Sequence, residues 1–437
     1  MATPKTLSRE KLIALLKESS LVFKYCSRKA KILPALAWEP QVMADFFKKK
    51  ESALPVPKYG VDKAAMLEIL EKLDALKPKL KGDHPILQWL MRSQESYSDA
   101  IRLLLEIEKP AFYEISTRLY GNSSSKLFAG QTTNLELADS IANRISLCVS
   151  NDIEESEQGN SAEDFAVSLE ERRKRWEPTI PVKIEITDAI AAKVVAGMNR
   201  VRIRKDARFS NLDLEALWKH EIESHCLTAH NGARQENCDF LFSGGPRTTL
   251  TQEGLAVFYE VYGHTMSQKR FLTLCDRIHA LKMTEDGADF MQIYKWYKER
   301  SENQTEAFYN TQRIFRGAKL TGGGPFTKDG VYLSGLLGIY NFLRVAVKNQ
   351  NRILIESLLC GRMALEDVGT IAWMRTHGII NPPYYIPYWL KNWEALVSFF
   401  SLTAVFGAVD LTSFQTFFDE HYTLEDWKRT WMSKLGE

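Results

Sequence analysis

Cysteine is sparse. Six occur in 437 residues (Cys26, Cys148, Cys226, Cys238, Cys275 and Cys360), and none forms a CxxC pair. A disulfide framework needs denser cysteine than this, so the reading is a cytoplasmic protein with reduced thiols. Charge of one sign is missing too: 57 Lys and Arg stand against 55 Asp and Glu, a net of +2. No global field draws nucleic acid, and any steering must come from local patches. Long apolar runs are absent. The longest uncharged run, residues 395–409, is interrupted by Ser398, Ser401 and Thr403. It falls short of the roughly 20 residues that cross a bilayer, so a buried helix and no membrane partner are expected. The opening MATPKTLSREKL lacks the apolar stretch of a secretory signal. No segment repeats at a fixed period, which excludes a solenoid.

What is present is ordinary for a globular chain. Hydrophobic residues make up 45% and charged residues 26%, and the length suits one large domain or two to three ordinary ones. Apolar residues recur at helical spacing over 7–26, 61–80, 84–109 and 135–150, with Ser8 placed to cap the first of these. Residues 150–164, SNDIEESEQGNSAED, are acidic, polar and free of aromatics. They mark the best internal boundary: a helical N-terminal part over 1–149, a linker or loop over 150–164, and a catalytic part over 165–437. Residues 181–187 alternate apolar and polar, as a half-buried strand does. Residues 199–210 alternate again, with Val201 and Ile203 on one side and Arg202 and Arg204 on the other. This basic strand has two readings: a substrate-pairing strand that attracts an acidic peptide tail, or an edge strand guarded by charge, and the second is favoured.

The chain is organised around residues 218–231, WKHEIESHCLTAHN, which carry His220, Glu221 and His225. A second helical stretch, TQEGLAVFYEVYGH, follows with Glu253 near its start. Two imidazoles and a carboxylate can hold one Zn²⁺ and leave a position for water. Glu221 stands where it could take a proton from that water. The His pair is spaced i and i+5, which on a regular helix puts the two roughly 140° apart. One extra residue in the turn would bring them to roughly 50°, so the motif demands a locally widened, π-type helix. The bland alternative is that Glu221 and His225, at i and i+4, form a surface pair. Cys226 points about 100° away from its neighbour and reads as a packed thiol. Asn231-Gly232 signals a helix stop. Thr249 and Gln252 match a capping box, which would start the next helix at Leu250 and put Glu253 in its first turn. Glu260 and His264 form a further acid–His pair at i and i+4. His264 and His230 lie too far along their helices to join the first cluster, and His84, His279, His377 and His421 have no partner in sequence.

HEIESHCLTAHNG followed by TQEGLA resembles the tyrosine carboxypeptidase family, which includes vertebrate microtubule-associated and bacterial QEGLA-motif relatives. Its HExxxH and QEGLA motifs stand unbroken here, and PFTKDGVYLSG at 325–335 is similar to its FTKDxxYLxG segment. The resemblance implies that His220, His225 and Glu253 bind one zinc ion and that Glu221 is the catalytic base. It implies removal of a C-terminal aromatic residue from a peptide or protein tail. The expected fold is α+β, mostly helical, with a zincin-like metallopeptidase core and a small sheet beside the active-site helix. A carboxypeptidase must also hold the free carboxylate, for which Lys328, Tyr332, Arg313 and Arg316 are the candidates. Phe258, Tyr259 and Phe326 are candidates to receive an aromatic side chain. Competing readings are a zinc endopeptidase or aminopeptidase, and a metal-stabilised regulatory protein without turnover. Glu221 argues against the last, because a structural site needs no base.

Overall fold

The computed structural model describes residues 8–127, 130–148, 159–176, 179–190, 192–301 and 303–406. The chain falls into two units, Met1–Pro387 and Tyr388–Glu437. The described part is mostly helical, with one three-stranded sheet. In the second unit, Trp393–Phe406 is a helix in which Leu396 and Phe400 are buried while Leu402 and Val405 are exposed. The expected buried helix over 395–409 is therefore apolar on both faces but covered on one. Its last residues, 407–409, lie outside the described ones.

Local signals start several helices of the first unit. Ser8 accepts from the Lys11 amide ahead of Arg9–Lys29, and His84 Nδ1 accepts from the Ile86 amide ahead of Pro85–Leu105. These N-terminal helices share a core with the region after the motif helix. Phe23 stacks on Tyr97 and meets Phe240 edge-on, and Trp89 stacks on Phe240. Ser20 and Lys24 both reach Asp239, at 2.7 and 2.5 Å. Of the boundary expected at 150–164, residues 150–158 lie outside the described ones, and contacts such as these join the two sides within one unit.

The sheet order is β1 (Lys183–Thr187), β3 (Arg200–Arg204), β2 (Val194–Ala196). β1 runs parallel to β3, with Lys183 opposite Arg200, and β2 runs antiparallel, with Ala196 opposite Val201. This corrects both readings of the basic strand, since β3 is central rather than at an edge. Val201 and Ile203 are fully buried. Two of its arginines are paired within the fold: Arg204 bonds Asp206 and Glu306 and lies over the Tyr309 ring, and Arg200 pairs with Glu185. The strand against the motif helix is β2, too short to show a period in sequence.

Ser210 and Asp213 form a capping box that launches the motif helix at Asn211. The helix is α over Asn211–Leu217, π over Trp218–Cys226 and α again over Leu227–Ala233. The helix ends at Ala233, one residue past the stop expected at Asn231-Gly232. Asn231 spends its side chain on tertiary bonds, donating to the Leu359 and Tyr385 carbonyls and accepting from the Tyr385 amide, each at 2.8 Å. Gly232 serves a close approach: a Cβ there would sit 2.4 Å from the Leu241 carbonyl.

The QEGLA helix runs Thr249–Tyr262, behind a 3₁₀ turn at Pro246–Thr248. No side chain caps it. Gln252 accepts from Thr228 of the motif helix at 2.8 Å, so the expected capping box is absent and Glu253 falls in the second turn. Thr327–Lys348 is the one described helix long and apolar enough to cross a membrane, and 61% of its window is buried inside the protein. It packs on the QEGLA helix glycine to glycine: a Cβ on Gly254 would lie 2.2 Å from the Gly335 carbonyl carbon. We expect Gly254→Ala to force these helices apart and cost about 1–3 kcal/mol, as overpacking does. A denaturant titration checks this; an unchanged midpoint and slope would refute it.

Candidate metal centre and active site

The π segment solves the spacing problem. With i→i+5 hydrogen bonding, residues five apart come onto one face. The His220 and His225 rings lie 5.0 Å apart at 83°, and their Nε2 atoms are 3.5 and 3.7 Å from Glu253 Oε2. One donor atom from each of the three falls within 4.8 Å of the others. Donors bonded at about 2.0–2.1 Å around a tetrahedral ion stand roughly 3.4 Å apart, so the two imidazole-to-carboxylate spacings fit a divalent metal.

The surroundings orient these donors. His220 Nδ1 lies 2.6 Å from Glu260 Oε1, and Arg270 donates to the same carboxylate at 3.3 and 3.4 Å. A buried carboxylate on Nδ1 holds the proton there and leaves the Nε2 lone pair free for a metal. Burial works against a charged His220, but the bonds to Glu253 and Glu260 outweigh it and raise its pKa to about 10. Any metal bound at Nε2 would have to displace that proton at neutral pH, so its affinity would rise with pH. In the metal-free protein the stabilisation from this cation is full below the free-imidazole value of 6.5 and is lost as pH rises through about 10. Glu260 is burdened by burial, yet Arg270 and then His220 bring it down to about 2.

Glu253 divides its oxygens. Oε2 faces the imidazoles, and Oε1 accepts from Lys328 Nζ at 3.1 Å. Burial opposes both charges, but their attraction prevails, holding Glu253 well below and Lys328 above their usual ranges. Glu221 stays outside the three-residue cluster; its Oε2 accepts from the Ala196 amide of β2 at 2.8 Å. Cys226 is a buried thiol donating to the Gly197 carbonyl at 3.2 Å. Arg362, unnoticed in the sequence, donates to the His225 carbonyl at 3.0 Å.

The four residues expected to bind a carboxylate do gather, around the buried Asp329. Arg313 is committed to Asp329 through two bonds at 2.5 and 3.0 Å and reaches the Tyr332 hydroxyl at 3.4 Å. Arg316 lies 4.0 Å from Asp329. Lys328 stands 5.6 Å from the Tyr332 ring centroid. The aromatic candidates are core instead: Phe258, Tyr259 and Phe326 are buried, with Phe326 against Phe112 and Tyr120.

Glu260 pairs with His220 and not with His264, which follows the helix end with a positive φ of 56°. The missed signal was that Glu253 and Glu260 stand two turns apart on one face of the QEGLA helix. His279 pairs with Asp139 at 2.8 Å, His377 stacks on Trp373, and His421 lies outside the described residues.

A mostly helical α+β frame presenting a sheltered His–His–Glu cluster, with a further carboxylate beside it, defines a class: proteins whose donor set could hold one metal ion. A sequence model of the microtubule-associated tyrosine carboxypeptidase family matches residues 44–407. The chain belongs to that family, whose name describes a carboxypeptidase, a peptide hydrolase. Among curated proteins, no sequence matches it.

Proposed function

We propose that this protein is a zinc-dependent carboxypeptidase that removes a C-terminal aromatic residue, Tyr or Phe, from a peptide or protein tail. The observation that carries the reading is the convergence of His220, His225 and Glu253 within 4.8 Å of one another, in a member of a tyrosine carboxypeptidase family. His220, His225 and Glu253 would hold the ion in a zincin-like arrangement. A bound zinc would supply Lewis acidity to a water and to the scissile carbonyl. Glu221 takes the proton of the attacking water and returns it to the leaving amine. The bond from Ala196 fixes one Glu221 oxygen, so its carboxylate is held in place for both transfers. Glu260 keeps the His220 ring in the ligating tautomer, and Lys328 prevents Glu253 from acquiring a proton.

The test is mass spectrometry of matched peptides with free or amidated C-termini. Free peptides ending in Tyr or Phe should lose one residue, and amidated ones should not. Chelator should abolish the loss and added zinc should restore it. Internal cleavage, or activity untouched by chelator, would overturn the reading.

A further inference from the structure

Beside the metal cluster the structure gathers five cations, Arg270, Arg277, Arg313, Arg316 and Lys328, around three carboxylates, Glu253, Glu260 and Asp329. Three of the cations are committed. Arg270 serves Glu260, Lys328 serves Glu253, and Arg313 takes Asp329 through two bonds. Arg277 and Arg316 are not. Each lies 4.0 Å from the Asp329 carboxylate that Arg313 already occupies. Nε and Nη1 of Arg277 and Nε of Arg316 are buried without a hydrogen-bond partner. Arg277 is only 8% exposed.

Buried guanidiniums with unspent donors are costly unless something arrives to use them. Burial lowers the pKa of both groups, and the neighbouring Arg313 cation adds to it; Arg316 comes down to about 10. The pair is also well placed. Arg277 lies over the Tyr332 ring at 4.7 Å, Lys328 lies 5.6 Å from the same ring, and Lys328 touches Glu253 of the metal cluster. The side chains of Arg277 and Arg316 keep 10% and 12% of their surface open, close to the 13% and 15% of His225 and Glu253.

We propose that Arg277, with Arg316 beside it, binds the free α-carboxylate of the substrate's C-terminal residue. This rests on the carboxypeptidase reading above and names the residues that read the chain end. A planar guanidinium matches a carboxylate in shape and charge. The excess of two positive charges favours an anion over a neutral amide. Arg313, one of the candidates from sequence, is a positioning residue: its two bonds hold Asp329, which lies 4.0 Å from both Arg277 and Arg316.

The experiment compares the full-length protein with Arg277→Gln and Arg316→Gln by two readouts. The first is kcat and KM on a free-acid peptide ending in Tyr, with metal content measured in parallel. The second is calorimetric titration of N-acetyl-tyrosine and of N-acetyl-tyrosinamide into chelator-treated protein. We expect Arg277→Gln to raise KM roughly 10- to 100-fold, the range for losing a charged hydrogen bond, with metal content intact. Arg277→Lys should recover part of that loss. The metal-free wild type should bind N-acetyl-tyrosine more tightly than the amide, and Arg277→Gln should erase the difference. If folded Arg277→Gln keeps the wild-type KM and the acid–amide preference, or loses only thermal stability, the proposal falls while the carboxypeptidase reading stands. If the wild type shows no metal-dependent turnover but binds N-acetyl-tyrosine through Arg277, the function falls and the anion site stands. Should Arg277→Gln fail to fold, Arg316→Gln in the same assays decides.

Discussion

Glu221→Gln should lower kcat by about 10²–10⁴-fold, the usual range for a general base, and leave the metal content unchanged. The geometry makes this a clean substitution. Glu221 is not one of the three clustered donors, so the change subtracts nothing from the metal site. The glutamine amide has the same shape, and its oxygen can still accept from the Ala196 amide, which preserves the tie between β2 and the motif helix. What it lacks is a lone pair basic enough to take a proton at neutral pH. Turnover and elemental analysis on the same sample check both halves. Turnover at the wild-type level would remove Glu221 from the mechanism, and loss of metal would make it a ligand.

His225→Ala should strip the metal and reduce activity to background. Losing a group that merely supports a ligand weakens metal binding by 10–100-fold, so losing a ligand should exceed about 100-fold. His225 is the informative choice of the three. Removing His220 would also leave Glu260 without one of its two partners, and removing Glu253 would leave Lys328 buried and unpaired. A buried charge that loses its partner is strongly destabilising. His225 is held through its backbone carbonyl, which Arg362 binds, and that bond survives truncation of the ring. The expected result is a folded protein, with a circular dichroism spectrum like the wild type, and a zinc content near zero after dialysis. Zinc retained at the wild-type level would refute its place in the donor set.

The sequence by itself determined the frame of the site. HExxxH and QEGLA place the three donors and the acid, and the spacing of His220 and His225 by itself demands a widened helix. The nine-residue π segment at Trp218–Cys226 meets that demand. The Ser8 cap was equally legible, because it involves groups only three residues apart. Tertiary structure alone decided the rest. It made β3 the central strand, and assigned Glu260 to His220 and Arg362 to the His225 carbonyl. These last two pairings span 40 and 137 residues. Periodicity and capping report only on neighbours along the chain. Which buried charge meets which partner is settled when distant segments are desolvated together, and that is where the uncommitted guanidiniums of Arg277 and Arg316 come to light.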